Sequence, residues 1–190
     1  MLKDLVLKNR SYRRFYESES ISLDQIRSWI NLARLGASGR NAQTLKYKII
    51  LSEKKKKHVF DTLAWAGYLK DWNGPVEGER PAAYVIMLND EKIGKNYFCD
   101  DGIAVQNLLL GAVESGFGGC ILRAFKETDL RAVLDLPDQY KIIQVLALGK
   151  PKEEVVVEDI QDGNFKYWRD ENQIHHVPKR TLQELILEVI

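Results

Sequence analysis

Hydrophobic positions in this chain switch between helical spacing and short continuous runs, so the pattern predicts helices and buried strands in turn. Ser22 and Gln25 form a capping-box pattern, after which Ile26, Ile30 and Ala33 keep helical spacing until Gly36, where a glycine can end a helix. Tyr47 to Leu51 reads as a short buried strand. Ser52 can cap a following helix whose Val59, Phe60 and Leu63 share one face, leaving Lys54 to Lys57 as its wet side. Asn73 to Pro81, with its glycines and prolines, reads as a loop. Ala83 to Leu88 is a continuous apolar run, the pattern of a strand buried on both faces.

Asp100 or Asp101 can open the next predicted helix, Ile103 to Glu114, which is apolar round most of its circumference and stops by Gly116. Phe117 to Leu122 is a short run with glycines near its start. Thr128 is the expected cap for Leu130 to Leu134, Pro137 the expected stop, and Ile142 to Leu148 another buried strand before Gly149-Lys150-Pro151. Beyond Pro151 the chain turns charged, aromatic and irregular up to Pro178; Thr181 and Glu184 then repeat the capping pattern ahead of Leu185, Ile186 and Val189. This tail has too few apolar residues for a core of its own. It is expected to lie over the main body or over a partner subunit, giving a single domain over 1–190 with a core, 1–151, and an extension, 152–190.

Composition narrows the function classes. The chain has 190 residues, 45% of them hydrophobic, enough for one sizeable core. With 28 Lys+Arg against 27 Asp+Glu, no bulk field favours nucleic acid or anionic lipid, so any anion site must be local. Cys99 and Cys120 are too few for a disulfide framework, and a reducing cytoplasm is the expected location. Met1 to Arg10 interrupts its apolar residues with Lys3, Asp4 and Lys8, and no apolar run approaches membrane-spanning length.

Three polar clusters carry candidate chemistry. Asn9-Arg10-Ser11-Tyr12-Arg13-Arg14-Phe15 spaces two guanidinium groups three residues apart about a hydroxyl, an arrangement that can converge on one anion. Ala37-Ser38-Gly39-Arg40-Asn41-Ala42-Gln43 follows a helix stop and offers amides, suited to a heterocycle with alternating carbonyls and ring nitrogens. Val177-Pro178-Lys179-Arg180 adds two more cations.

The order of these segments resembles the nitroreductase-like flavoproteins. Their opening motif is commonly Arg-Arg-Ser-x-Arg-x-Phe, matched here from Arg10 to Phe15, with Asn9 in place of the first cation. Gly36 to Leu45 is similar to their Ala-Pro-Ser-x-x-Asn-x-Gln-Pro-Trp, with Thr44-Leu45 replacing Pro-Trp. Asp101 to Leu110 resembles the central helix, Gly116 to Phe125 the strand and turn beside the flavin ring, and Ala147 to Pro151 and Lys179-Arg180 later family features. The resemblance implies an α+β, α-β-α sandwich whose central, mostly antiparallel sheet is flanked by helices, with the C-terminal tail exchanged in a homodimer. It implies non-covalent FMN at the subunit interface. Arg10, Ser11 and Arg13 would take the phosphate and pyrimidine edge, and Ser38, Gly39, Asn41 and Gln43 the flavin, reached from the other subunit. Leu122 and Arg123 would act through their main chain near flavin N5, and Lys179 and Arg180 on phosphate or ribityl. The implied reaction passes a hydride from NAD(P)H through flavin N5 to a small-molecule acceptor, a nitroaromatic, quinone or related compound, in a ping-pong cycle with no dedicated catalytic side chain. A flavin sensor or store without turnover, and a specialised member performing flavin fragmentation, dehalogenation or heterocycle oxidation, are the alternatives.

Other local patterns weigh less. Gly116-Phe117-Gly118-Gly119 lacks the third glycine and the preceding strand of a dinucleotide fingerprint. His175-His176 without nearby cysteines reads as plain surface, so no metal is assigned. Cys120 reads as a buried, inert thiol. Trp65, Tyr68 and Trp72 stand at near-helical spacing, which suits core packing or a substrate-stacking wall.

Overall fold

The two hydrophobic periods sort into three layers in the computed structural model, which describes residues 1–189; Ile190, the last residue of the expected domain and extension, lies outside the described residues. Strands β1 (Leu45–Ile50), β2 (Ala83–Asp90), β3 (Gly118–Leu122) and β4 (Tyr140–Gly149) form one antiparallel sheet in the order β1-β2-β4-β3. Every residue of β2 is buried, as its unbroken apolar run predicts. Alternation along β2 sends Val85 and Met87 to one face, against Ile26, Trp29 and Ala33 of α2 (Leu23–Arg34) and Val105 and Leu108 of α4 (Asp100–Glu114). Tyr84, Ile86 and Leu88 face the other way, toward Val59 of α3 (Glu53–Phe60) and Leu130 and Leu134 of α5 (Glu127–Leu134). This is the expected α-β-α sandwich. Each of these fully buried aliphatic side chains contributes about 1.5–3 kcal/mol.

Helix α2 starts at its capping box, where Ser22 Oγ accepts from the Gln25 N–H at 3.2 Å and Gln25 Oε1 accepts from the Ser22 N–H at 2.9 Å. It packs so closely on α4 that a Cβ at Gly111 would lie 2.5 Å from Leu32. Gly36 is not a left-handed stop: its backbone φ is ordinary, and a Cβ there would meet the Asn107 amide at 2.8 Å, so close approach to α4 is its role. Gly116, at φ +80°, does terminate the turn after α4.

Several local expectations are corrected. Residues 2–8, assigned no element from sequence, form helix α1 (Leu2–Lys8). Helix α4 opens at Asp100 as expected, with Cys99 at its N-cap and both aspartates buried in its first turn. Lys126, not Thr128, caps α5, which ends in the left-handed Asp135 before Pro137 is reached. Lys56 is buried rather than wet, because it lies one turn before Val59 on the inward face, with its ammonium held by Glu53 at 2.8 Å.

The tail is more ordered than its composition suggests. Strands β5 (Val155–Asp159), β6 (Trp168–Arg169) and β7 (His175–Lys179) make a second sheet in the order β5-β7-β6, and α6 (Leu182–Leu185) follows with its own capping box at Thr181 and Glu184. It docks on the same chain's body: Lys152 N–H donates to Arg14 O at 3.0 Å, and Phe15, fully buried, bridges Pro151. Among the described residues, no helix is long and apolar enough to cross a membrane.

Candidate functional site

After α1 the chain runs beside the free edge of β3, tied there by a parallel bridge between Ser11 and Gly119 and by the Tyr12 N–H donating to Gly119 O at 3.1 Å. That path places Arg10, Ser11 and Arg13 against Gly119, Cys120 and Ile121 of β3, in a cleft of about 240 Å³. The floor includes Gln106 and Leu109 of α4, and the far wall is the tail: Tyr167, His175, Val177 and Lys179. The first and third sequence clusters therefore meet. Arg180 does not join them, since its guanidinium pairs with Glu184 at 3.3 Å.

The cleft is cationic, and among the described residues no carboxylate compensates its cations. Arg10 donates from Nη2 to Val6 O at 2.7 Å, but its buried Nε has no partner. Arg13 Nη1 donates to Ser11 O at 3.1 Å and lies 3.2 Å from His175 Nε2, with the guanidinium carbon 4.8 Å from the centre of the Tyr167 ring. Nearby carboxylates serve other cations: Glu79 serves Arg14 and Lys152, and Glu153 serves Arg169. Asn9, standing where a further cation is common, donates to Gln106 Oε1 at 3.2 Å.

His175 corrects the surface reading of the histidine pair, being 1% exposed. Burial, reinforced by the adjacent Arg13 and Arg169 charges, pushes its pKa down to about 4. A guanidinium can only donate, so Nε2 accepts and the imidazole proton sits on Nδ1. His176 is half-buried, stacked 4.0 Å from Trp168 and 2.9 Å from Glu158 Oε2, whose hydrogen bond raises its pKa. Among the described residues no cluster suits a metal ion. Sequence reasoning missed Glu153, whose carboxylate is fully buried and accepts the main-chain N–H of Arg13, that of Arg14 at 3.3 Å and the Arg169 guanidinium at 3.1 Å.

The middle cluster lies in a different cleft, of about 260 Å³, at the start of α4. Buried Asp100 organises it, accepting from Ser38 Oγ at 2.6 Å and from the Gly39 N–H at 2.7 Å. Tyr47 lines the same cleft, and burial, with the Asp100 charge adding, pushes its phenol up to about 12. Arg40, Asn41 and Gln43 all have positive φ, between 52° and 54°, as does Phe98 at 51°. Such conformations in non-glycine residues cost about 1–3 kcal/mol each unless the surroundings enforce them. Gly39 is obligatory here: a Cβ would lie 2.4 Å from the Phe98 ring. The Ser38 hydroxyl and Gly39 N–H are thus spent on Asp100, while Asn41 and Gln43 stay exposed, the Gln43 amide donating to Asn41 O at 3.3 Å.

The other expected residues are placed as follows. Leu122 is buried in the core layer against α3 and α5, and Arg123 donates to Gln144 Oε1 at 3.0 Å and ion-pairs with Asp101; both lie just past the part of β3 that lines the Arg10 cleft. Buried Trp65 meets the partly buried Trp72 edge to face at 6.5 Å, in a segment that is not helical, and Tyr68 packs at a tilt against Tyr167 at 4.9 Å. None of the three lines either cleft. Cys120 is buried, and burial pushes its thiol up to about 12, as an inert cysteine requires.

The sequence model of the Nitroreductase family matches residues 6–150. A protein of Archaeoglobus fulgidus, provisionally named NADH dehydrogenase/NAD(P)H nitroreductase, is 24% identical over 158 residues, 79% of this chain and 85% of its own. Among solved structures, a nitroreductase family protein from Clostridium novyi NT has a TM-score of 0.66 at 23% identity, covering 80% of this chain and 87% of that one. The NADPH:FMN oxidoreductase of Vibrio harveyi, solved with NAD+, has a TM-score of 0.61 at 19% identity, covering 79% of this chain and 68% of that one. These structures share the fold described above.

Proposed function

The chain belongs to the nitroreductase family, and from that premise we propose that it is an FMN-dependent oxidoreductase passing electrons from NADH or NADPH to nitroaromatic, quinone or related small acceptors. The observation that carries this reading is the cleft of Arg10, Arg13 and Lys179, where, among the described residues, no carboxylate neutralises the cations and the buried Arg10 Nε–H lacks an acceptor. A buried donor left unpaired costs about 1–3 kcal/mol, and an anionic ligand offsets that cost. The residues present fit the phosphate and polar edge of FMN. When bound, FMN supplies a hydride acceptor and donor at its N5. Arg10, Ser11, Arg13 and Lys179 hold and orient it. Main-chain N–H groups toward the end of β3, at Leu122 and Arg123, provide the electrostatic stabilisation near the reactive edge.

Asn41 and Gln43 line the second cleft and not the Arg10 cleft. We therefore assign the ring contacts of Ser38, Gly39, Asn41 and Gln43 to the cofactor of a second copy. Leu182, Leu185, Ile186, Leu187 and Val189 are all at least half exposed, which supplies apolar surface for that homodimer. The test is the purified protein itself, which should be yellow and release FMN on heating, identified by mass spectrometry. Failure to bind FMN added in excess would refute the reading. Sedimentation should give a dimer, and a monomer with full flavin occupancy would remove the shared site.

A further inference from the structure

Arg13 has a carboxylate beside its own backbone and is not paired with it. Glu153 Oε1 accepts the main-chain N–H groups of Arg13 and Arg14, and Oε2 accepts Arg169 at 3.1 Å. Among the described residues the Arg13 guanidinium meets only neutral groups: Ser11 O, His175 Nε2 and the Tyr167 ring. Arg169 lines neither cleft. Its side chain is 8% exposed and lies over Trp72, with the guanidinium carbon 4.7 Å from the ring centre. A fully buried carboxylate requires a cation, and stripping one member from such a pair leaves a charge that captures whatever counter-ion is within reach. Glu153 already touches the backbone of two cations, Arg13 and Arg14, and Arg14 is committed to Glu79.

We propose that Arg169 is a positioning residue that, by holding Glu153, keeps the Arg13 guanidinium free to bind the cofactor. The inference rests on the reading that this cleft holds FMN. Without Arg169, Glu153 turns to Arg13 for its counter-ion, and the cleft loses a positive charge while keeping the residue that carried it. Removing the Glu153 charge as well releases Arg13 again, because a Gln at 153 still offers an oxygen to the two main-chain N–H groups and has no need of a cation.

The experiment is a fluorescence titration of apo-protein with FMN for wild type, Arg13→Ala, Arg169→Met and the double variant Arg169→Met/Glu153→Gln, with melting temperatures recorded in parallel. Arg169→Met should weaken FMN binding by about tenfold or more, approaching Arg13→Ala, and the double variant should recover to within about threefold of wild type. A purely structural role for Arg169 makes the double variant bind no better than Arg169→Met, and that result overturns the proposal. So does wild-type affinity in Arg169→Met. If Arg169→Met does not fold, the double variant decides alone: near-wild-type affinity supports the proposal, and a folded double variant weakened about tenfold overturns it. A wild type that binds no FMN removes the functional reading itself; a wild type that binds while Arg169→Met is unaltered removes only this inference.

Discussion

Glu79→Gln should cost about 2–3 kcal/mol of stability at neutral pH and much less in acid. Glu79 joins the two chain segments that build the Arg10 cleft. It accepts from Arg14 Nε at 2.7 Å and Nη2 at 2.9 Å, a bidentate pair next to Arg13, and from Lys152 Nζ at 3.0 Å, at the root of the tail. The Glu79 side chain is 14% exposed, so the pair is only weakly screened. The Arg14 hydrogen bond above all, helped by Lys152 and opposed by burial, holds its carboxyl near 2 instead of the ordinary 4.5. At about 1.4 kcal/mol per tenfold change in proton affinity, that depression corresponds to about 3 kcal/mol, an upper value because a Gln keeps part of the hydrogen bonding. The folded pKa is the lower one, so the contribution is fully present above pH 4.5 and is lost as the pH falls toward 2. By pH 3 roughly half remains, about 1.4 kcal/mol. Urea unfolding of wild type and Glu79→Gln at pH 7, 5 and 3 measures the gap. A difference that does not shrink between pH 7 and pH 3, or one below about 0.5 kcal/mol at pH 7, would show that the clamp contributes nothing through its charge.

Arg13→Ala should weaken FMN binding by about 1.5–3 kcal/mol, read by fluorescence titration, while exposed Lys54→Ala changes it by less than about 0.5; equal affinities would take Arg13 out of the site. Trp65→Ala should cost about 3–5 kcal/mol in urea unfolding because the ring is core, and Tyr68→Ala far less; the reverse order would return Trp65 to a binding wall. Steady-state kinetics with a quinone should give parallel double-reciprocal lines, because the nicotinamide must leave before an acceptor stacks in the same place. Intersecting lines across several acceptors would contradict a shared cavity.

The layers of the fold were legible because they rest on periodicity. The unbroken run at Ala83 to Leu88 can only be a strand covered on both sides, and the covering helices announce themselves by Ile26 and Ala33 and by the apolar girth of Ile103 to Glu114. Caps were legible where two residues confirm each other. Ser22 with Gln25 and Thr181 with Glu184 exchange reciprocal hydrogen bonds, and both mark real helix starts. A single-residue signal fared worse: Thr128 gave way to Lys126 as the cap of α5. The tail's sheet was hidden for a different reason. Its strands are short, β6 and β7 are mostly polar, and β5, though it opens with three valines, pairs with a strand about twenty residues away.

What a motif shows is the set of donors, and what it cannot show is what those donors are prevented from touching. Arg10, Arg13 and Lys179 could be gathered from sequence as cations, yet three cations bind an anion only if the protein's own carboxylates are occupied elsewhere. Here Glu79 is taken by Arg14 and Lys152, and Glu153 by Arg169 and two main-chain N–H groups. None of these five contacts lies within a local window: the shortest, Arg169 with Glu153, spans sixteen residues, and Arg14 reaches a glutamate sixty-five residues away. His175 follows the same rule. As a neighbour of His176 it looks like surface, but burial, helped by Arg13 and Arg169, holds it neutral, and a neutral imidazole accepts from Arg13 without discharging it. The site's affinity for an anion is therefore a property of the second set of residues as much as of the first, and that second set is fixed by the fold.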